Sequence, residues 1–202
     1  MSRNIYLYPV WVRLWHLVNA VLCFILIVTG LRMALYDPAS DAAARYQWRV
    51  SIHNINGILL TISYLGFFLG NIFSHNGRNY RGRMKGTAGR IMKQLRYNLG
   101  GRARGEEMPF PAESGNKFDP VKKLTYSGTM YLIVPLLIIT GWIMKYPVPI
   151  IGLFPDFNIY AFTDIVHIIL AVSVSLFVLL HLAVVIAGRD IRSIITGWKE
   201  NR

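Results

Sequence analysis

Apolar positions along this chain neither alternate nor recur every third or fourth residue. They run on in four blocks, about Leu14 to Met33, Ile52 to Phe73, Leu124 to Met144 and Ile165 to Ala187. Crossing about 30 Å of hydrocarbon takes a helix of about 20 residues, and each block reaches that length with almost no formal charge. The blocks predict four transmembrane helices at about 11–35, 50–74, 122–146 and 161–187, in one domain filling residues 1–202. A basic segment, 75–121, separates the second from the third. The expected fold is an all-α integral membrane protein, a four-helix bundle with one long loop.

Composition agrees: 53% of the 202 residues are hydrophobic and 16% charged, which excludes an ordinary soluble domain. The net charge of +12 would suggest nucleic acid in a soluble protein, but here it follows the loops. Eighteen of the 22 Lys and Arg residues fall before the first apolar block, in the middle segment from Arg78 to Lys123, or in the segment from Arg189. Arg32, Arg45, Arg49 and Lys145 are the other four. The positive-inside rule therefore places both termini and the middle loop in the cytoplasm, with the loops near Asp37 and Asp156 outside. A bacterial inner membrane is the expected location. Tyr8, Trp11, Trp15, Trp48, Trp142, Tyr160 and Trp198 fall at span ends, as interfacial anchors do. The first block exceeds a signal h-region and lacks a small-residue cleavage site, so an uncleaved helix is expected. The single cysteine, Cys23, excludes an intrachain disulfide, a thiolate-held iron–sulfur cluster and a covalent c-type haem.

Histidines supply the chemistry. His16 lies in the first block, His53 in the second, and His167 and His181 in the fourth. At 1.5 Å and 100° per residue, the fourteen-residue spacing of the last two advances about 21 Å and nearly closes four turns. Both imidazoles therefore share one helix face at different depths. A polar ring in hydrocarbon needs a partner, and axial ligation of a haem iron provides one. With the predicted topology, depth allows His53 with His167 near the outer face and His16 with His181 near the inner face. That makes two non-covalent b-type haems. Ala20, Gly57 and Ala171 lie one turn from three of the ligands and leave room for a porphyrin face, whereas His181 is flanked by Phe177 and Val185. His75, at the polar end of the second block, is an interfacial residue. Arg13 and Arg49, one turn before His16 and His53, suit haem propionates through the guanidinium fork. The alternatives are positive-inside charge for Arg13 and snorkelling for Arg49.

Arg13-Leu14-Trp15-His16-Leu17-Val18-Asn19-Ala20 with Leu26-Ile27-Val28-Thr29-Gly30-Leu31 resembles the first helix of the bacterial di-haem cytochrome b family. This family includes the membrane subunits of formate dehydrogenase, thiosulfate reductase and nickel–iron hydrogenase. Phe118-Asp119-Pro120-Val121-Lys122-Lys123-Leu124-Thr125-Tyr126, with Leu137-Ile138-Ile139-Thr140-Gly141-Trp142, resembles the start of its third helix. The resemblance implies a subunit carrying electrons between an outward-facing iron–sulfur or multihaem partner and the quinone pool. It leaves the direction of flow open. Asn19, Lys122 and Tyr126 are the quinone-site candidates at the inner haem's depth.

In the loop, Ala88 to Leu99 puts Ile91, Met92, Leu95 and Leu99 on one stripe among basic residues. That predicts an amphipathic helix on anionic lipid, followed by a flexible connection through Gly100 to Gly105 and Met108-Pro109-Phe110-Pro111. Nucleic acid is not an expected partner. Two other readings are a stand-alone superoxide:quinone oxidoreductase on the same scaffold and a haem-free anchor or transporter whose histidines only pack. No internal repeat and no acidic residue within the four apolar blocks favours transport.

Overall fold

The computed structural model describes residues 4–39, 41–80, 86–101, 103–111, 117–146, 158–188 and 191–200. Its helices are α1 (Val10–Ala34), α2 (Ala43–Phe73), the short α3 (Thr87–Arg96), α4 (Pro120–Lys145), α5 (Ile159–Gly188) and α6 (Ile191–Thr196). The predicted spans correspond to α1, α2, α4 and α5, all long and apolar enough to cross a membrane. Phe24 (69% exposed), Leu179 (65%) and Ile186 (66%) point outward, as side chains do when the solvent is lipid. The expected outer loop at Asp156 lies outside the described residues, as do Arg3, Arg81, Arg83, Lys85, Arg102, Arg189 and Arg202.

Three features depart from the sequence reading. First, α2 starts at Ala43 rather than near residue 50. Its first turns are too polar to count as a span, yet they contain good helix formers. Asp41 secures them through ion pairs to Arg45 (2.8 Å) and Arg49, and these guanidiniums hold its carboxyl below the usual range. Second, α4 widens into a π-turn over Thr129–Ile133. Pro135 has no N–H for the Tyr131 carbonyl, and its ring would collide with that oxygen in a regular helix. Third, the amphipathic helix expected to reach Leu99 ends at Arg96 and passes into a π-turn, Tyr97–Gly101, which also takes in the first two glycines of the expected flexible connection. Its buried residue is Gln94, whose amide donates to Asn98 Oδ1 at 2.9 Å, while Met92 and Leu99 stay exposed.

Antiparallel packing brings the start of α1, the end of α2, the start of α4 and the end of α5 to one end of the bundle. Trp15 stacks on the fully buried Phe67 at 4.3 Å between ring centres. Gly70 lies against the Trp11 ring, which a Cβ there would approach to 2.8 Å. Asp119 caps α4, accepting from the Val121 and Lys122 amides at 3.1 and 2.9 Å, and Pro120 follows it at the first helical position. Among the described residues the only strands are β1 (Asn4–Tyr6) and β2 (Trp198–Glu200), an antiparallel pair joining the two chain ends. Arg13 strengthens this clasp by donating to the Ile195 carbonyl.

Lys117 ties the end of α2 to the start of α4. Its ammonium donates to Asn76 Oδ1 at 2.6 Å, and its backbone amide donates to Asn79 Oδ1 at 3.2 Å. The ammonium also lies 5.0 Å from the Tyr8 ring centre and 5.1 Å from that of Phe118. No carboxylate pairs with it among the contacts described, and burial pushes its pKa down from 10.5 to about 8. The native state thus gives up this proton before the unfolded chain does. The resulting stabilisation is fully present above about pH 10.5 and is lost as pH falls through about 8. Relative to Lys117→Met, wild-type stability is expected to rise by about 3 kcal/mol across that window. Unfolding both proteins at pH 7.5 and pH 10 measures this, and a pH-independent difference would refute it.

Candidate haem sites

The four intramembrane histidines meet in two pairs. His16 of α1 and His181 of α5 have ring centres 6.1 Å apart with planes at 61°. His53 of α2 and His167 of α5 are 6.4 Å apart at 72°. A first-row metal binds imidazole nitrogen at about 2.0–2.1 Å, and that nitrogen lies about 1.1 Å from its ring centre, so two axial imidazoles on one metal sit about 6.3 Å apart. Both pairs have that spacing. Among the described residues no group of three His, Cys, Asp or Glu could hold a metal ion. Two protein ligands suffice where the metal brings four of its own, as a porphyrin iron does.

The hydrogen bonds behind the rings fit the same group. Thr29 Oγ1 donates to the Ile25 carbonyl at 2.7 Å, so its oxygen is free to accept from His53 Nδ1 at 2.9 Å. Thr140 repeats this, donating to Leu136 O at 2.9 Å and accepting from His167 Nδ1 at 2.9 Å. These networks assign the proton to Nδ1 in both rings and leave Nε2 unprotonated, the form in which an imidazole can ligate a metal. The glycine after each threonine makes room. A Cβ at Gly30 would come within 3.4 Å of the His53 ring, and one at Gly141 within 3.4 Å of the His167 ring. At Gly57, one turn along from His53, a Cβ would meet nothing within 4 Å, so the space beside that ligand is open. In the other pair, Tyr126 OH bonds His181 Nδ1 at 3.1 Å, and Phe177 stacks on the same ring at 14°.

An internal repeat, absent from the sequence reading, follows from these contacts. Thr29 meets His53 across α1 and α2, and Thr140 meets His167 across α4 and α5. Fourteen residues before each threonine and after each histidine, Trp15 meets Phe67 in the first hairpin and Tyr126 meets His181 in the second. The two hairpins thus match at the threonine end and diverge at the other. There the second ligand comes from α1 as His16. The signal for it in the sequence is the twofold Thr-Gly within apolar blocks, Thr29-Gly30 and Thr140-Gly141.

The remaining candidates are placed as follows. Arg49 is ion-paired with Asp41, and Arg13 is bound to the Ile195 carbonyl. Asn19 uses its amide protons on Trp15 O (2.9 Å) and Ser63 Oγ (2.7 Å), which leaves Oδ1 as acceptor. Lys122 pairs with Asp119 at 3.4 Å and shares a helix face with Tyr126 one turn later. An aromatic row runs Trp15, Phe67, Tyr80, Phe118, Tyr126, with successive ring centres 4.3, 5.6, 5.5 and 4.9 Å apart. It begins next to His16 and ends on His181.

The prokaryotic cytochrome b561 family matches residues 7–197. This chain belongs to that family. Among its relatives is the Escherichia coli (strain K12) protein named "Putative cytochrome YdhU", 36% identical over 201 residues that make up 98% of this chain and 75% of the relative. No solved structure matches. The cytochrome b561 chain is accordingly a membrane cytochrome that binds b-type haem and works in electron transfer. Bound haem supplies reversible one-electron chemistry at iron. The paired histidines would hold it, with the hydroxyls of Thr29, Thr140 and Tyr126 bonded to Nδ1 of His53, His167 and His181.

Proposed function

We propose that this cytochrome b561 holds two b-type haems, one between His53 and His167 near the outer face and one between His16 and His181 near the inner face. It relays electrons across a bacterial inner membrane between an outward-facing iron–sulfur or multihaem partner and the quinone pool. The observation that carries this reading is the spacing of 6.1 and 6.4 Å in two separate imidazole pairs, about 21 Å apart along α5. Two haems at two depths carry charge over a distance that one cannot. With both termini and the basic loop in the cytoplasm, the quinone reacts beside the His16/His181 haem, close to Tyr126 and Lys122. Asn19 offers only its carbonyl oxygen there. The guanidinium of Arg13, whose Nε is buried without a hydrogen-bond partner, serves a propionate of this haem, and Arg49 serves one at the outer site.

Haem content of the detergent-purified protein, by pyridine haemochrome against protein concentration, tests the number. Two b-type haems per chain with two resolved steps in a redox titration is the expected result. One haem, or none in cells supplied with haem, would overturn the di-haem reading. Co-purification of an outward-facing redox subunit tests the partner, and its absence alongside superoxide-dependent quinone reduction would favour the stand-alone enzyme.

A further inference from the structure

Lysine can only donate hydrogen bonds, and this gives a direction to a buried chain of amides at the end of α2. Lys117 Nζ donates to Asn76 Oδ1 at 2.6 Å, so the other end of that amide must also donate. It does so to Asn71 Oδ1 at 2.6 Å. Turning either amide over would set donor against donor or acceptor against acceptor. The series therefore ends on Asn71 Nδ2, which is buried and has no hydrogen-bond partner among the described residues, on a residue only 5% exposed. Buried donors are rarely left so in native proteins. This one sits at the end of a line of amides polarised by an ammonium, which strengthens it as a donor.

Asn71 also lines a cleft of about 230 Å³ together with Ser74, His75 and Arg78, and among the described residues no acidic side chain lines it. Gly77 makes the turn tight enough to bring Arg78 back beside Asn71, since a Cβ there would fall 2.4 Å from the Asn71 carbonyl oxygen. At the lip, Ile72 (55% exposed) and Phe73 (84%) continue the apolar surface of α2. The cleft therefore brings together a residue whose buried amide has an unmet donor, a guanidinium, and an adjoining surface that belongs among acyl chains.

We propose that this cleft binds the phosphodiester headgroup of an anionic phospholipid, with Asn71 Nδ2–H and the Arg78 guanidinium as donors and Ile72 and Phe73 against the acyl chains. The inference is independent of haem number and of the quinone reading. Its test is native mass spectrometry of the haem-loaded, detergent-purified protein titrated with phosphatidylglycerol. One lipid is expected to bind well ahead of the rest. Asn71→Asp keeps the acceptor for Asn76 but places a carboxylate where the donor stood, and Arg78→Gln changes only an exposed side chain. Each is expected to weaken the first lipid about tenfold with the haem spectrum unchanged. Unaltered binding in Arg78→Gln and in a folded Asn71→Asp would overturn the site. Equal affinity for phosphatidylcholine would remove the requirement for net negative charge and overturn the proposal. Displacement by inorganic phosphate, or by a quinone analogue carrying no phosphate, would likewise overturn the lipid assignment.

Discussion

His53→Ala and His167→Ala are each expected to lower haem content from two per chain to one, and to abolish the same step of the redox titration. His16→Ala and His181→Ala are expected to abolish the other. In the proposed arrangement each iron would have two protein ligands, and the paired ring centres stand 6.1 and 6.4 Å apart, close to the separation such ligation requires. Removing one leaves an open axial position in an apolar site that has no second candidate nearby, since no larger cluster of ligating side chains exists among the described residues. His75→Ala serves as the control and is expected to retain both haems, because His75 lies in a 3₁₀ turn beyond the end of α2. The decisive comparison lies across pairs. If His53→Ala and His16→Ala erased the same step, the pairing would be wrong even with two haems present.

Thr29→Val and Thr140→Val are expected to raise the potential of the His53/His167 haem and leave the other unchanged. Each hydroxyl accepts from Nδ1–H at 2.9 Å, which makes the ring more basic and favours the ferric state. Loss of such a partner typically costs about 10–100-fold in metal affinity. If that loss falls mainly on the ferric form, each tenfold is about 59 mV for one electron. A potentiometric titration should therefore show a rise of about 60 mV or more in one step, with Thr→Ser restoring the original value. A shift shared equally by both haems, or none, would sink the assignment. Valine matches threonine in shape, so a packing change alone is not expected to separate the two haems in this way.

What could be read from the chain in advance follows from what survives helix packing. The spacing of His167 and His181 is set within one helix, so their face and depth needed no knowledge of neighbours. The spans likewise needed only unbroken hydrophobicity. The threonines were a different matter. Thr29 and Thr140 bear on the ligands only through the register of one helix against another, which apolar sequence does not encode residue by residue. The same holds for Asn19, whose protons go to Trp15 and Ser63, and for Arg49, whose partner Asp41 lies before a helix that began earlier than its hydropathy suggested. The π-turn in α4 had a visible cause in Pro135. Its position over Thr129–Ile133 depended on how the helix accommodates a missing donor.

The small sheet at the chain ends carries a consequence for biogenesis. The α1–α2 hairpin can form as soon as both helices enter the bilayer, and with it the Thr29–His53 contact that presents one ligand. The surround of His16 is different: Arg13, three residues away, is held by the Ile195 carbonyl, and β1 is completed only by β2. Those partners follow all four spans in sequence and so are translated after them, and contacts between distant parts of a chain form late. On the proposed two-haem arrangement, insertion should therefore yield a half-built cytochrome first, with the His53/His167 site prepared and the His16/His181 site awaiting the segment after α5. An affinity tag fused close behind β2 would act on that final step, and its effect should appear as partial loading of a single haem.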